Sequence, residues 1–92
     1  MNAGLVFDKV QYWIQHYTAG GADDARAVSD FIICENDELL GSLRAQINTI
    51  AQGNYDEDVL DKTVGLKRKL RHGSYEAWAK LMLLWILEAK KH

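Results

Sequence analysis

Apolar residues recur along this chain at intervals of three and four, the spacing that places them on one face of a helix. Val6, Val10, Trp13 and Tyr17 form the first such stripe, widened by Phe7 and Ile14, and predict a helix over residues 5–18. Ala19-Gly20-Gly21 then stops it, because glycine takes the left-handed conformation that closes a helix end. A second helix, capped by Asp23 or Asp24 and running to about residue 35, would bury Val28, Phe31, Ile32 and Cys34. A third, capped by Asn36 or Asp37 and ending at Gly53, carries Leu40, Leu43, Ile47 and Ile50, with Leu39 alongside. The 36–37 junction holds no glycine or proline, so the second and third helices are alternatively one bent helix.

Asp56 caps the next helix. Val59, Thr63, Leu66 and Leu70 keep the four-three-four spacing straight through Gly65, which predicts one helix over residues 57–71. The glycine would cost it about 1 kcal/mol relative to alanine. Gly73 ends that helix and Ser74 caps the fifth, residues 75–90. So short a connection predicts a tight antiparallel hairpin or corner. The pattern as a whole predicts an all-α fold, a compact bundle of four to five short helices, with residues 1–92 forming a single domain.

Composition agrees with helices. There is no proline and there are only seven glycines, little turn punctuation for a small strand-rich domain. Apolar residues make up 48% and charged residues 26%, which excludes a disordered chain.

The fifth helix has two faces. At 100° per residue, Tyr75, Trp78, Met82, Trp85 and Ala89 share one side, which is read as core. The other side begins polar with Glu76 and Lys80, an i,i+4 pair in the favourable order. One turn later it becomes Leu83, Leu84 and Leu87. A helix apolar all round is normally covered all round. The cover would be another segment of this chain, a second copy or a different protein. Closed two-fold homodimers are the commonest assembly. The leading expectation is therefore a non-catalytic interaction module that self-associates as a homodimer, with Leu83, Leu84, Leu87 and Lys80 at the interface.

Charge adds an alternative. The net charge is −2, yet residues 1–61 carry eleven acids against Lys9, Arg26 and Arg44, a net −8. Residues 62–92 carry eight bases against Glu76 and Glu88, a net +6. The two segments would neutralise each other on folding, or the basic one would meet an anionic partner. The cluster Lys67, Arg68, Lys69 and Arg71 could contact several phosphates, which makes a nucleic-acid-associated regulatory factor the alternative function. Against it, Asp56, Glu57 and Asp58 open the helix that these bases close, the order the helix dipole favours. A helix-turn-helix turning at Gly65 is disfavoured, because Asp61 and Arg71 occupy positions such a unit buries.

Catalytic and metal chemistry find no pattern to rest on. His16, His72 and His92 stand far apart, and His16 beside Trp13 and Tyr17 reads as a half-buried packing residue. The acidic run Asp56, Glu57, Asp58, Asp61 departs from a calcium loop at Leu60. Cys34 is flanked by Glu35, Asn36 and Asp37, the wrong charge to activate a thiol, and reads as core. No catalytic residue, metal or cofactor is expected. A single cysteine allows no intrachain disulfide and fits a reducing compartment. The longest unbroken apolar run, residues 81–87, spans seven residues against the ~20 a bilayer requires, and no basic-then-apolar leader opens the chain. A cytoplasmic protein with no membrane partner is the resulting expectation.

Overall fold

Four helix starts among the described residues are set by the side chain of the residue that precedes them, as the sequence predicts. The computed structural model describes residues 7–19 and 23–90. Asp23 accepts a hydrogen bond from the Arg26 N–H at 2.8 Å and opens α2 (Asp24–Cys34). Asn36 accepts from the Leu39 N–H at 2.8 Å and opens α3 (Asp37–Ala51). Glu35 and Asn36 both have extended backbone, so α2 and α3 are separate helices and not one bent helix. Asp56 accepts from Asp58 ahead of a short α4 (Glu57–Leu60), and Ser74 accepts from Ala77 at the start of α6 (Tyr75–Lys90). Gly53 and Gly73 follow helix ends with φ of 83° and 94°, the left-handed region that glycine reaches without strain.

The first helix, α1 (Asp8–Tyr17), starts differently. Phe7 offers it no side-chain cap, and Gln46 of α3 serves instead. The Gln46 Oε1 accepts from the Lys9 and Val10 N–H groups at 2.9 and 3.2 Å, while its Nε2 donates to Asp8 at 2.7 Å. One amide thus closes the end of α1 and ties it to α3. Leu5 and Val6 of the first stripe, and the expected stop at Gly20-Gly21, lie outside the described residues.

The core is built from most of the predicted stripes, and α6 runs through it. Helix α6 packs on α2 and α3 and meets the end of the preceding segment, while α1 lies across α2 and α3. Val10 and Trp13 of α1, Val28 and Phe31 of α2, and Leu40, Leu43, Ile47 and Ile50 of α3 are buried against Tyr75, Trp78, Met82 and Ile86 of α6. Burying a side chain of this size stabilises the fold by roughly 1.5–3 kcal/mol. Trp13 and Trp78 meet with ring centroids 6.3 Å apart.

The predicted continuous helix over residues 57–71 is where structure and pattern part. It is divided into α4, a π-helical turn (Asp61–Gly65) and α5 (Leu66–His72). Gly65 has φ 106° and ψ 138°, which no helix contains. The break changes the phase of the stripe. Leu60 and Val64 are buried, whereas Leu66 and Leu70, expected in the core, are 51% and 75% exposed. The wider turn and the glycine rotate α5 so that Arg68 and Lys69 face the rest of the molecule and the two leucines face out.

A smaller correction concerns α2. Cys34, read as core, is exposed, and Ile33 is 79% exposed. The inward row of α2 runs through Asp24, Val28 and Phe31 to Glu35, at spacings of four, three and four. Cys34 falls to its side, and Glu35 takes the inward place.

Candidate interaction surface

Helix α6 presents one full face and one empty one. Tyr75, Trp78, Ala79, Met82 and Ile86 are buried. Trp85 and Ala89, expected on that face, are only half-buried, whereas Ile86, not among the residues expected there, is buried. Diametrically opposite the core centre, at 100° per residue, lies Leu84. It is 49% exposed, and Leu87, one turn on, is 55% exposed. Ala77, Lys80 and Glu88 are exposed around them.

The leucine trio is therefore divided. Leu83 is half-buried against the core and forms the α6 wall of a shallow groove of about 290 Å³. Gly41, Arg44, Ala45 and Asn48 of α3 form the other wall. The outer side of α3 is low here because Gly41 and Ala45 stand one turn apart. Space above Gly41 is open: a Cβ added there would meet nothing within 4 Å.

The basic cluster is also divided. Arg68 reaches Asp24 at the start of α2, its Nε donating to Oδ2 at 2.9 Å and its Nη2 to Oδ1 at 2.8 Å. Its Nη1 donates to the Val64 carbonyl at 2.9 Å. The Trp78 Nε1 donates to Asp24 Oδ2 at 3.0 Å, so one carboxylate gathers α2, α5 and α6. Burial pushes the Asp24 carboxyl up, but the hydrogen bonds from Arg68 and Trp78 and the Arg68 charge outweigh it and hold the group below its ordinary value. Lys69 pairs with Glu57, whose hydrogen bond raises the lysine above its usual range, and sits 5.7 Å from the centroid of the Tyr75 ring. Lys67 and Arg71 are exposed beside Leu66 and Leu70. The four bases do not form one cationic strip.

Several acids are likewise engaged within the fold. Tyr12 and Tyr17 both donate to Glu35, Tyr55 donates to Glu76, and Tyr75 donates to Asp61 at 2.6 Å. Burial first, and then the carboxylate each one faces, push the Tyr17, Tyr55 and Tyr75 hydroxyls well above the usual phenol range. Such groups brace helices and have no tendency to lose a proton at neutral pH. His16 is exposed rather than half-buried, with its ring 4.5 Å from that of Tyr12. A second open groove of about 270 Å³, between Lys9 and the Asn36–Leu39 turn, gathers no set of converging ionisable groups. Among the described residues, no three His, Cys, Asp or Glu side chains are grouped to hold a metal ion, and no helix is long and apolar enough to cross a membrane.

Sequence reasoning offered Asp24 only as a helix cap and missed its contacts with Arg68 and Trp78, and it missed Gln46 altogether. Asp24 and Arg68 are 44 positions apart and Asp8 and Gln46 are 38 apart, so no local spacing could signal either pair. Compared with known proteins, the chain matches no family model, no curated protein and no solved structure.

Proposed function

We propose that this protein is a non-catalytic interaction module that self-associates through its C-terminal helix. The observation that carries the reading is the position of Leu84 and Leu87, about half exposed on the side of α6 that turns away from a filled core. Apolar surface of this kind gains roughly 25 cal/mol for each Å² that a partner removes from water. Lys80 stands at the rim, where a charge steers encounter more than it adds affinity. A single exposed thiol at Cys34 fits a reducing, cytoplasmic setting.

A nucleic-acid partner has less to draw on. Arg68 and Lys69 are engaged with Asp24 and Glu57, which leaves Lys67 and Arg71 as the outward bases of the cluster. Two phosphate contacts give a weak, strongly salt-dependent association at best.

Sedimentation velocity over a concentration series tests the reading. The parent protein is expected to sediment as a dimer at high concentration and to dissociate on dilution. L84K/L87K is expected to stay monomeric with an unchanged thermal midpoint, since neither leucine supports the core. A parent that remains monomeric throughout overturns the proposal.

A further inference from the structure

A second unpartnered face lies on α5, and its charges say what it fits. At 100° per residue, Leu66, Leu70, Lys67 and Arg71 follow one another around an arc of about 140°. Arg68, His72 and Lys69 make up the rest of the turn and are half-buried against the molecule. The outer side is therefore two parallel rows, one of leucines and one of bases, with about 6 Å between the members of each. The leucines are 51% and 75% exposed, and both bases are exposed. Among the described residues neither Lys67 nor Arg71 forms an ion pair, in contrast with Arg68 and Lys69. The two hydrogen bonds from Arg68 to Asp24 hold α5 in this orientation, so the leucines stay outward in the folded chain.

Covering Leu66 and Leu70 also draws the neighbouring bases out of water, which is favourable only where each meets an acid. The cover must carry an apolar row beside an acidic one. Residues 1–6, 20–22 and 91–92 contain no Asp or Glu, so no segment outside the described residues supplies it. An extended anionic surface is a poor match too. Asp56, Glu57, Asp58 and Asp61 are exposed in the segment leading into α5, where they outnumber Lys62. A lipid bilayer or a nucleic-acid backbone would meet those acids along with the two bases, and the chain as a whole carries −2.

We propose that the outer face of α5 docks a short acidic amphipathic helix of another protein. Its apolar row covers Leu66 and Leu70, and its acidic row pairs with Lys67 and Arg71. Anchors one turn apart are how amphipathic helices are read. A helix of two or three turns spans the whole of α5, about 10 Å, without reaching over the acids beyond it. The contact is far smaller than the roughly 1,000 Å² of a stable interface, so the complex is weak and exchanges rapidly. No residue of α6 takes part, and the inference stands independently of self-association.

Amide chemical-shift titration of the isotope-labelled full chain tests it. The probe is an alanine-rich peptide of about 15 residues, cross-linked to hold its helix. It carries leucines at i and i+4, each flanked on both sides by glutamate, so that either helix direction offers acids to the bases. Saturable shifts centred on residues 66–71 are expected, with none from a peptide of the same composition in scrambled order. L66S/L70S is expected to abolish the response, and K67E/R71E to weaken it about tenfold or more. Both variants should keep the parent's thermal midpoint, since all four side chains are exposed. Phosphatidylcholine vesicles containing phosphatidylserine, and a short DNA duplex, are titrated alongside. No saturable shift at residues 66–71, an equal response to the scrambled peptide, or an unaltered response in K67E/R71E overturns the proposal. Tighter binding to the vesicles or the duplex than to the peptide overturns it as well. So does a loss of self-association in L66S/L70S, which would assign the face to a second copy.

Discussion

Removing the Asp24 carboxylate should be among the most damaging single changes outside the apolar core. Asp24→Ala deprives Arg68 of two hydrogen bonds and leaves the Trp78 Nε1 with no acceptor at a fully buried ring. An orphaned buried donor costs about 1–3 kcal/mol, and breaking a buried ion pair about 3–5. The Asp24 side chain is 7% exposed but that of Arg68 is 21% exposed, and its Nη1 keeps the Val64 carbonyl. The guanidinium therefore recovers part of its solvation, and the lower end, about 3 kcal/mol, is the working figure. A chain of 92 residues has roughly 5–14 kcal/mol to lose. The midpoint of thermal unfolding should then fall by about 12–24 °C.

Urea unfolding followed by circular dichroism measures this, with Arg68→Met and the double variant completing a cycle. Each single variant strands one buried partner, so the double should be less damaged than the sum by at least about 1.5 kcal/mol. The pH dependence gives a second check. The folded carboxyl titrates below its unfolded value of about 3.9, so its stabilisation is complete above roughly pH 4 and is lost as pH falls through the folded value. Asp24→Asn should therefore flatten the decline in stability below pH 4 while lowering stability at pH 7. A midpoint for Asp24→Ala within 2 °C of the parent, or additive singles, would refute the reasoning.

Two further predictions test the broken helix. Gly65→Ala puts a side chain at φ 106°, ψ 138°, and since its Cβ would touch nothing within 4 Å the loss is purely conformational. It should lower unfolding free energy by about 2 kcal/mol in urea, and a loss under about 0.5 would mean the chain can run helically through this point. Leu60→Ala should cost about 3 kcal/mol and Leu70→Lys no more than about 0.5, because one is fully buried and the other 75% exposed. Equal losses in the same assay would restore the unbroken stripe.

How much was legible in advance varies by element. The caps at Asp23, Asn36, Asp56 and Ser74, and the stops at Gly53 and Gly73, are local devices: a side chain closes an N–H two or three residues on, and glycine reaches positive φ. The stripe Leu40, Leu43, Ile47, Ile50 is equally local, since period alone fixes which side a helix buries. The exposed face of α6 was foreseen from the same periodicity, with the difference that Leu83 leans against α3.

What the linear pattern could not settle is phase after an irregular residue, and pairing across distance. Through Gly65 a helical reading and a broken one fit the residues equally well, and they differ in which side chains face inward. The interior chose the second, because it lets Arg68 reach the buried Asp24. The same holds for Gln46 and the start of α1. Sequence by itself determined that helices form, where most begin and which face an unbroken helix offers, because those depend on neighbours within one turn. Tertiary structure alone decided which polar groups meet and which leucines stay in water, because burying a charge or a donor is tolerable only when a partner from elsewhere in the chain arrives to satisfy it.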